Sequence, residues 1–264
     1  MAYAASMCTD WQTAMKPSTR PGLFVTGTDT GVGKTALTAA LCRLLRSAGE
    51  RVLPFKPMAS GAVERDGRWL AEDAMALAAS VGDDIDPASV CPVTFREWLA
   101  PGIAAAQRGE RVNWPAIGRA WLEAQAQATS LLVEGAGGLE VPLDASGHPT
   151  VLELMMHLGL PALIVARSGL GTLNHTTLTV RALRSSGVRV AGVVMSDGPE
   201  GVTDDASVAS NRAWLERMAD VTVLARLPRS THDPVWADPA WASILSKVDW
   251  AGLITDESIS DPRR

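Results

Sequence analysis

Short apolar runs alternate with longer amphipathic segments along the chain from Leu23 onward. The short runs are rich in aliphatic and β-branched residues, whereas the longer segments repeat apolar residues at the three- and four-residue spacing of a helix. Nearly continuous apolar strands are typical of a parallel sheet that helices cover on both faces. The pattern therefore predicts an α/β fold, with a doubly wound, mostly parallel sheet in a single domain.

The predicted elements follow one another in regular alternation. Strands are predicted at residues 23–26, 51–57, 131–134, 162–166, 188–195 and 221–224. Helices are predicted at residues 36–48, 69–81, 114–129, 150–158, 173–185 and 208–218. Gly49 and Gly82 follow two of these helices and Pro149 precedes a third, as expected at helix ends.

The two ends of the chain differ in composition from the middle. Residues 1–20 lack the continuous apolar stretch of a signal peptide and are predicted to be a mobile tail, within which Met7 and Met15 are alternative start positions. Residues 21–231 form the predicted domain. Residues 232–264 are predicted to be partly helical and packed on that domain through Trp236, Trp241 and Trp250, with a polar tail from residue 255.

Composition excludes several classes of protein. The net charge is −5, so broad nucleic-acid binding through a basic surface is not expected. No apolar run reaches the length of a membrane span, so no membrane partner is expected. The cysteines Cys8, Cys42 and Cys91 are far apart and form no metal-ligand pattern, which indicates reduced thiols in a cytoplasmic protein.

A glycine-rich segment, GTDTGVGKT at residues 27–35, follows the first predicted strand and opens the first helix. In that context glycines let backbone N–H groups surround phosphate oxygens, the lysine neutralises phosphate charge, and the threonine hydroxyl binds magnesium. The usual spacing puts a glycine at position 28, where this chain has Thr28 after Gly27. The segment predicts a P-loop NTPase-like fold, against the alternative of a glycine-rich turn that binds nothing.

Lysine is the scarce cation of this chain, which has four Lys among 24 basic residues. Lys34 follows the first predicted strand and Lys56 ends the second, at the sheet edge where such folds bind ligands. A compact ammonium suits a phosphoryl group in transfer better than the planar guanidinium of arginine. We therefore interpret both lysines as functional, although a solvated strand-end charge is the alternative for Lys56.

Two carboxylates complete the candidate site. Glu134 ends an apolar strand and precedes glycines, a position from which an acid reaches magnesium. Asp73 shares the apolar stripe of its predicted helix with Leu70 and Leu77, so that its carboxylate needs a partner or a metal. The alternative for Asp73 is a first-turn acid that complements the helix dipole.

These residues carry a resemblance to a known family. The loop at residues 27–35, KPMASG at 56–61, Glu72-Asp73-Ala74, VEGAGG at 133–138 and GTLNH at 171–175 together resemble dethiobiotin synthetases of biotin biosynthesis. The resemblance extends from about Leu23 to Pro228. It implies a ligase that uses ATP, or another nucleoside triphosphate, to close a ureido ring on 7,8-diaminopelargonate with carbon dioxide.

The resemblance also implies roles for individual residues. Lys34 and Lys56 would act on the phosphoryl group and the carbamate, and Thr35, Asp73 and Glu134 would bind Mg²⁺. Thr30 and Ser60 would contact the reacting end of the substrate. The family forms homodimers, in which a helix start of the partner chain would bind the substrate carboxylate. In this chain that helix start comprises Gly171, Thr172, Leu173 and Asn174. The nucleotide would contact Asp29, Thr30, Gly31, Val32, Gly33, Lys34, Thr35, Ala36, Asp73, Glu134, Gly135, Ala136, Gly137, Ser196, Asp197 and Pro228.

The chain departs from the family at the base. Many members have Asn-Asp where this chain has Ser196-Asp197, and that Asn contacts the adenine edge. A hydroxyl cannot reproduce the paired donor and acceptor of an amide, so relaxed base selectivity is expected. Many members also have an acid at the position of Gly31, and its absence removes one contact to the substrate.

Two rival classes share the loop. A partitioning or targeting switch ATPase would have a lysine where this chain has Asp29, together with a membrane-binding tail, and neither is present. The amidating synthetases of corrin biosynthesis normally carry a glutaminase domain, for which 264 residues leave no room.

Overall fold

The computed structural model describes residues 10–198 and 205–255 of the chain. Within these ranges, the strands in chain order are β1 (Gly22–Gly27), β2 (Val52–Phe55), β3 (Met58–Ala59), β4 (Val63–Arg65), β5 (Arg68–Leu70), β6 (Val93–Thr94), β7 (Ser130–Glu134), β8 (Ala162–Arg167), β9 (Val190–Ser196) and β10 (Val223–Leu227). After a helical turn at residues 10–14, the helices are α1 (Lys34–Ser47), α2 (Glu72–Val81), α3 (Pro87–Val90), α4 (Pro101–Arg108), α5 (Trp114–Gln127), α6 (Val151–Leu158), α7 (Thr172–Ser185), α8 (Val208–Ala219), α9 (Pro239–Leu245) and α10 (Trp250–Thr255).

Six parallel strands form the central sheet in the order β2-β7-β1-β8-β9-β10. The register aligns Val25 of β1 with Glu134 of β7 and with Leu163 of β8. All six strands end at the same edge, and the connections that follow β1 and β7 meet there. The prediction of a doubly wound parallel α/β sheet is confirmed.

Apolar side chains cover both faces of the sheet, as the nearly continuous strands indicate. Phe24 of β1 faces a cluster that includes Trp121 of α5 and Val180 of α7. Leu23 on the same strand faces the opposite cluster with Leu37 of α1 and Trp241 of α9. The alternation along β1 follows the two-residue period of a strand and places one helical layer on each side.

The predicted helix at residues 69–81 is wrong in its first turn. Arg68–Leu70 is a strand paired antiparallel with Val63–Arg65, and the helix begins at Glu72. The two strands are joined by Asp66-Gly67, both with positive φ, which is the strongest short hairpin signal in a sequence. Leu70 therefore shares no helical stripe with Asp73, and the argument that placed Asp73 on a core-facing stripe does not hold.

The predicted mobile tail is also wrong for residues 10–20. Trp11 and Met15 are buried against the body of the protein. The chain passes so close to α5 that a Cβ on Gly118 would lie 2.4 Å from the Ala14 carbonyl oxygen. The indole N–H of Trp121 donates to the Lys16 carbonyl at 2.8 Å. Apolar residues spaced four apart hold this segment in place, and residues 1–9 lie outside the described part.

Residues 232–255 fold as a 3₁₀ turn (Val235–Ala237) followed by α9 and α10. Trp241 and Trp250 are buried in the apolar cluster that also contains α1. Trp236 is half-buried, and the Arg43 guanidinium lies 5.7 Å from the centre of its ring. The polar tail predicted from residue 255 lies outside the described residues, except for Thr255 itself.

Cys42 and Cys91 are both free and buried, whereas Cys8 lies outside the described residues. In the ranges 10–198 and 205–255, no helix has the length and apolar character needed to cross a bilayer.

Candidate active site

The glycine-rich loop connects β1 to α1 and closes tightly on itself. A Cβ on Gly27 would lie 2.8 Å from the Asp29 carbonyl oxygen and 3.0 Å from Lys34 Nζ, so only glycine fits there. Gly33 precedes α1 with φ of 99°, in the left-handed region that favours glycine. The loop thus presents the N-terminus of a 14-residue helix, which is a favourable environment for phosphate.

Lys34 lies at the first position of α1, and its side chain folds back over the loop. Its Nζ donates to the Asp29 carbonyl at 3.0 Å, and the residue is 7% exposed. Burial lowers the pKa of Lys34, because it disfavours the ammonium more than the nearby Glu134 carboxylate favours it. An anionic ligand over the loop would favour the charged form.

Lys56 is the centre of a cluster at the carboxyl edge of the sheet, in which Lys56 and Glu134 are buried and Asp73 is partly exposed. Its Nζ lies 2.5 Å from Asp73 Oδ2 and 2.6 Å from Glu134 Oε1. The Thr35 hydroxyl donates to the same Glu134 oxygen at 2.7 Å. Thr35, Lys56, Asp73 and Glu134 therefore form one hydrogen-bonded group. They come from the start of α1, the carboxyl ends of β2 and β7, and the start of α2.

The charges within this cluster support one another. Burial disfavours the charged form of Lys56, but Glu134 and Asp73 outweigh that effect and raise its pKa above the ordinary lysine value. Burial likewise acts against ionised Asp73, yet Lys56 and the Thr35 hydroxyl hold the pKa of Asp73 below its usual range. Lys56 is therefore an ammonium between two carboxylates at neutral pH.

The oxygen atoms of this cluster suit a hard divalent cation. Thr35, Asp73 and Glu134 supply a hydroxyl and two carboxylates, which are ligands that Mg²⁺ prefers. Glu134 Oε2 is buried and has no hydrogen-bond partner among the described residues. A buried carboxylate oxygen without a partner is costly, and a bound cation would satisfy it. The residues present therefore fit the metal that the sequence led us to expect.

The loop after β7 packs against the phosphate loop. A Cβ on Gly137 would lie 3.2 Å from the Thr30 hydroxyl oxygen, and one on Gly138 would lie 3.4 Å from the Gly27 carbonyl oxygen. Gly135 and Ala136 precede them, and both line a small apolar pocket with Pro57 and Met58. Thr30 is exposed at this junction, while the Ser60 hydroxyl is buried without a described partner. Both hydroxyls are thus close to the edge where the Lys56 cluster lies.

The ends of β9 and β10 border the other side of the loop. A Cβ on Gly33 would lie 3.1 Å from the Ser196 hydroxyl oxygen, which accepts from the Gly198 N–H at 3.2 Å. Asp197 is held by Arg226, whose guanidinium donates to both carboxylate oxygens at 2.9 Å. The sequence analysis missed Arg226. Arg226 lies one residue before the end of β10, which pairs with β9. Because the carboxyl ends of the strands meet at this edge, that position predicts a residue close to the site.

The segment Gly171, Thr172, Leu173 and Asn174 begins α7, after β8 on the opposite side of β1 from Lys56. Gly171 precedes the helix with φ of 94° and no side chain caps the end. Thr172 is buried and bonds Thr176, whereas Asn174 is exposed. This chain alone therefore does not bring its own α7 start into the Lys56 cluster.

Similarity to known proteins agrees with this geometry. A family model described as an AAA domain matches residues 21–232. The chain is 45% identical over 208 residues to the ATP-dependent dethiobiotin synthetase BioD of Anaeromyxobacter dehalogenans strain 2CP-C, covering 78% of this chain and 89% of that relative. It is 46% identical over 209 residues to the protein of the same name from strain 2CP-1, with the same coverage.

A more distant likeness exists among solved structures. The chloroplast FtsY of Physcomitrella patens aligns with a TM-score of 0.43 and 15% identity, over 84% of this chain and 65% of that one. This likeness is too weak to bear on function. The sequence relatives, by contrast, are similar to this chain over 89% of their own length. On that evidence, the chain belongs to the dethiobiotin synthetase family.

Proposed function

We propose that this chain forms dethiobiotin from 7,8-diaminopelargonate, carbon dioxide and a nucleoside triphosphate, as a cytoplasmic, Mg²⁺-dependent ligase. One amine of the substrate adds to carbon dioxide and loses a proton, which gives a carbamate. The carbamate oxygen takes the γ-phosphoryl group from the nucleotide, which leaves as the diphosphate. The second amine then attacks the carbonyl carbon and expels phosphate, which closes the ureido ring.

The observation that carries this proposal is the contact of Lys56 with both Glu134 and Asp73 beside the phosphate loop. Every intermediate of the reaction is anionic, so that catalysis depends on positioned positive charge more than on a strong base. An ammonium has three donors, and the two carboxylates use two of them. The third donor of Lys56 is available to the carbamate or to the phosphoryl group in transfer.

Lys34 has the complementary role at the other end of the transferred group. Its Nζ lies inside the loop that surrounds phosphates, 3.0 Å from the Asp29 carbonyl. It would exchange that carbonyl for oxygens of the β- and γ-phosphates. Thr30 and Ser60, exposed or unpartnered at the same edge, would donate to the reacting end of the diamine.

Mg²⁺, when bound, would neutralise charge on the phosphates as the phosphoryl group moves. Thr35, Asp73 and Glu134 would hold it. Because Lys56 contacts the same two carboxylates, its position also decides how much of their charge is available to the cation.

The substrate carboxylate would bind at the start of α7 from a second copy of the chain. Backbone N–H groups at the N-terminus of a 14-residue helix suit a carboxylate without a charged side chain. Leu170 precedes this helix and Leu178 lies in its second turn, and they are 87% and 56% exposed, which is a large exposure for apolar side chains. A second copy of the chain would bury these leucines, and their exposure supports the proposal of a homodimer.

The test is detection of dethiobiotin by mass spectrometry after incubation with 7,8-diaminopelargonate, bicarbonate, Mg²⁺ and each of ATP, CTP, GTP and UTP. We expect product from the wild-type chain and none from Lys56→Met, which keeps the length of the side chain without its charge. Nucleotide hydrolysis by the wild-type chain without dethiobiotin would contradict the proposal and favour a switch ATPase. Light scattering of wild type and Leu170→Asp tests the dimer, because the aspartate is expected to shift the mass toward the monomer.

A further inference from the structure

The chain beyond the family match folds back onto the sheet edge. The match ends at residue 232, and α9 and α10 follow it. Helix α9 packs against both α1 and β10, and Trp241 and Leu245 share an apolar cluster with Leu37 of α1 and Leu227 of β10. The C-terminal segment therefore contacts the helix that carries the phosphate loop and the last strand of the sheet.

The Lys56 cluster determines the direction in which a nucleotide crosses the sheet. Lys56 and Glu134 lie on the side of β1 that β7 and β2 occupy, so the terminal phosphate of a nucleotide bound at the loop would face that side. The nucleoside would then extend the opposite way, over the ends of β8, β9 and β10. Ser196 at the end of β9 already borders Gly33 of the phosphate loop. Residues 228–231, which follow β10, are therefore next to the position of the base.

Two side chains of the C-terminal segment form hydrogen bonds with the loop at residues 228–231. The indole N–H of Trp241 donates to the Pro228 carbonyl at 2.9 Å, and Trp241 is 4% exposed. Asp238 caps α9 through the Ala240 N–H at 2.8 Å and also accepts from the Ser230 hydroxyl. Pro228 itself is exposed. The loop thus exposes Pro228 to solvent, while the buried Trp241 holds the Pro228 carbonyl and Asp238 holds the Ser230 side chain.

We propose that Trp241 is a positioning residue for the nucleotide base, acting through the Pro228 carbonyl to fix the loop at residues 228–231. The inference rests on the proposed function in so far as that function requires a nucleoside triphosphate. It assigns the segment after residue 232 a part in nucleotide affinity in addition to its packing. The hydrogen bond of Trp241 goes to residue 228 and not to the phosphate loop at residues 27–35, so its loss is expected to leave phosphate binding unchanged.

The experiment compares Trp241→Phe with a matched variant of the same segment. Trp250 is 3% exposed and its indole N–H also donates to a backbone carbonyl, that of Leu245, at 2.8 Å. Trp250→Phe therefore loses an equivalent hydrogen bond away from residues 228–231. Binding of Mg·ATP and of inorganic tripolyphosphate, which has no base, is measured by calorimetry for each chain.

We expect Trp241→Phe to weaken ATP binding by about three- to tenfold, the effect of one hydrogen bond, with tripolyphosphate affinity unchanged. Trp250→Phe is expected to bind both ligands as the wild type does. Equal ATP affinity in Trp241→Phe and wild type, or an equal loss in Trp250→Phe, would overturn the inference. Ser230→Ala, which removes the second tie to the loop, provides the same comparison if Trp241→Phe does not fold.

The outcomes separate the inference from the proposed function. A wild-type chain that binds none of ATP, CTP, GTP and UTP would overturn both. A wild-type chain that binds ATP but forms no dethiobiotin would contradict the ligase reaction, whereas the comparison of Trp241 with Trp250 would still decide the positioning role.

Discussion

Glu134 Oε1 lies 2.6 Å from Lys56 Nζ, and the two side chains are 0% and 4% exposed. Removal of one partner from a buried ion pair leaves an uncompensated charge, which typically costs about 3–5 kcal/mol. Replacement of both partners by neutral side chains of similar shape costs less, because the fully buried position 134 then carries no unpaired charge, and the Asp73 carboxylate that remains is 43% exposed. The stability of this pair is therefore expected to be strongly non-additive.

The first prediction follows from that relationship. Lys56→Met is expected to lower the free energy of unfolding more than the double variant Lys56→Met/Glu134→Gln does, because the double variant leaves no unpaired charge at position 134. Urea denaturation of the two variants and the wild type measures the difference. Both variants are expected to lack activity. Additive losses in the double variant would show that the pair is not coupled in the folded state.

The second prediction concerns the metal. Glu134→Gln keeps the shape of the side chain but removes one negative charge from the group that contains Thr35 and Asp73. We expect turnover to fall by about 100-fold or more and the Mg²⁺ concentration for half-maximal rate to rise. A magnesium titration of dethiobiotin formation measures both, with Glu153→Gln as the control, since Glu153 caps α6 away from the site. A Mg²⁺ titration unchanged from wild type would remove Glu134 from the metal site.

The sequence predicts the elements of the fold where the apolar periodicity is strong. It does not predict them where the residues of a turn determine the local structure. The six parallel strands and α1, α5, α6, α7 and α8 follow from apolar patterning. The hairpin at residues 63–70 was missed because Trp69 and Leu70 also fit the period of the helix that follows. Short helices such as α4 bury too few residues to give a recognisable pattern.

The candidate site was predictable to the extent that its residues end strands of one sheet. Lys56 and Glu134 follow neighbouring strands, and the structure places them in contact. Sequence position does not predict a hydrogen bond between segments that are not neighbouring strands. The hydrogen bond from Trp241 to the Pro228 carbonyl, for example, depends on how α9 packs against α1. The same holds for Trp11 and Met15, whose burial depends on contacts with α5 and α6.

The third prediction concerns pH. Burial lowers the pKa of Lys34 from its ordinary value of 10.5, and bound phosphate favours the charged form. Below the pKa of the free protein, Lys34 is already charged and nucleotide affinity does not depend on its titration. Above that pKa, binding must take up a proton, so affinity falls by up to about tenfold per pH unit.

Lys34→Arg is the matched variant for this test, because a guanidinium stays charged throughout the range. The affinity for Mg·ATP is measured by calorimetric titration between about pH 7.5 and 10. For the wild type, we expect the affinity to begin to fall at a lower pH than it would with a lysine of ordinary pKa. For Lys34→Arg, we expect the affinity to change less with pH. Parallel profiles for the two chains would contradict control by Lys34.

The fourth prediction concerns the base. The Ser196 hydroxyl is buried beside Gly33 and accepts from the Gly198 N–H, so that it offers the base little. Ser196→Asn introduces a paired donor and acceptor and is expected to raise the preference for ATP over CTP, GTP and UTP in kcat/KM. Ser196→Ala is the control and should keep the wild-type ranking. Identical rankings for all three chains would show that the base is recognised by other residues.

The fifth prediction separates the N-terminal segment from catalysis. Trp11 is 5% exposed, and its ring centre lies 5.0 Å from that of His157 and 6.2 Å from that of Trp114. Trp11→Ala is expected to lower the free energy of unfolding by about 3–5 kcal/mol, the usual cost of a buried tryptophan. Because this contact lies on α5 and α6, away from the phosphate loop, kcat/KM at a temperature well below unfolding should stay at the wild-type value. Trp214→Ala, at a residue that is 47% exposed, is the control and should change stability by less than about 1 kcal/mol. Equal unfolding free energies for Trp11→Ala and wild type, measured in urea, would mean that the Trp11 side chain adds nothing to the stability of the body.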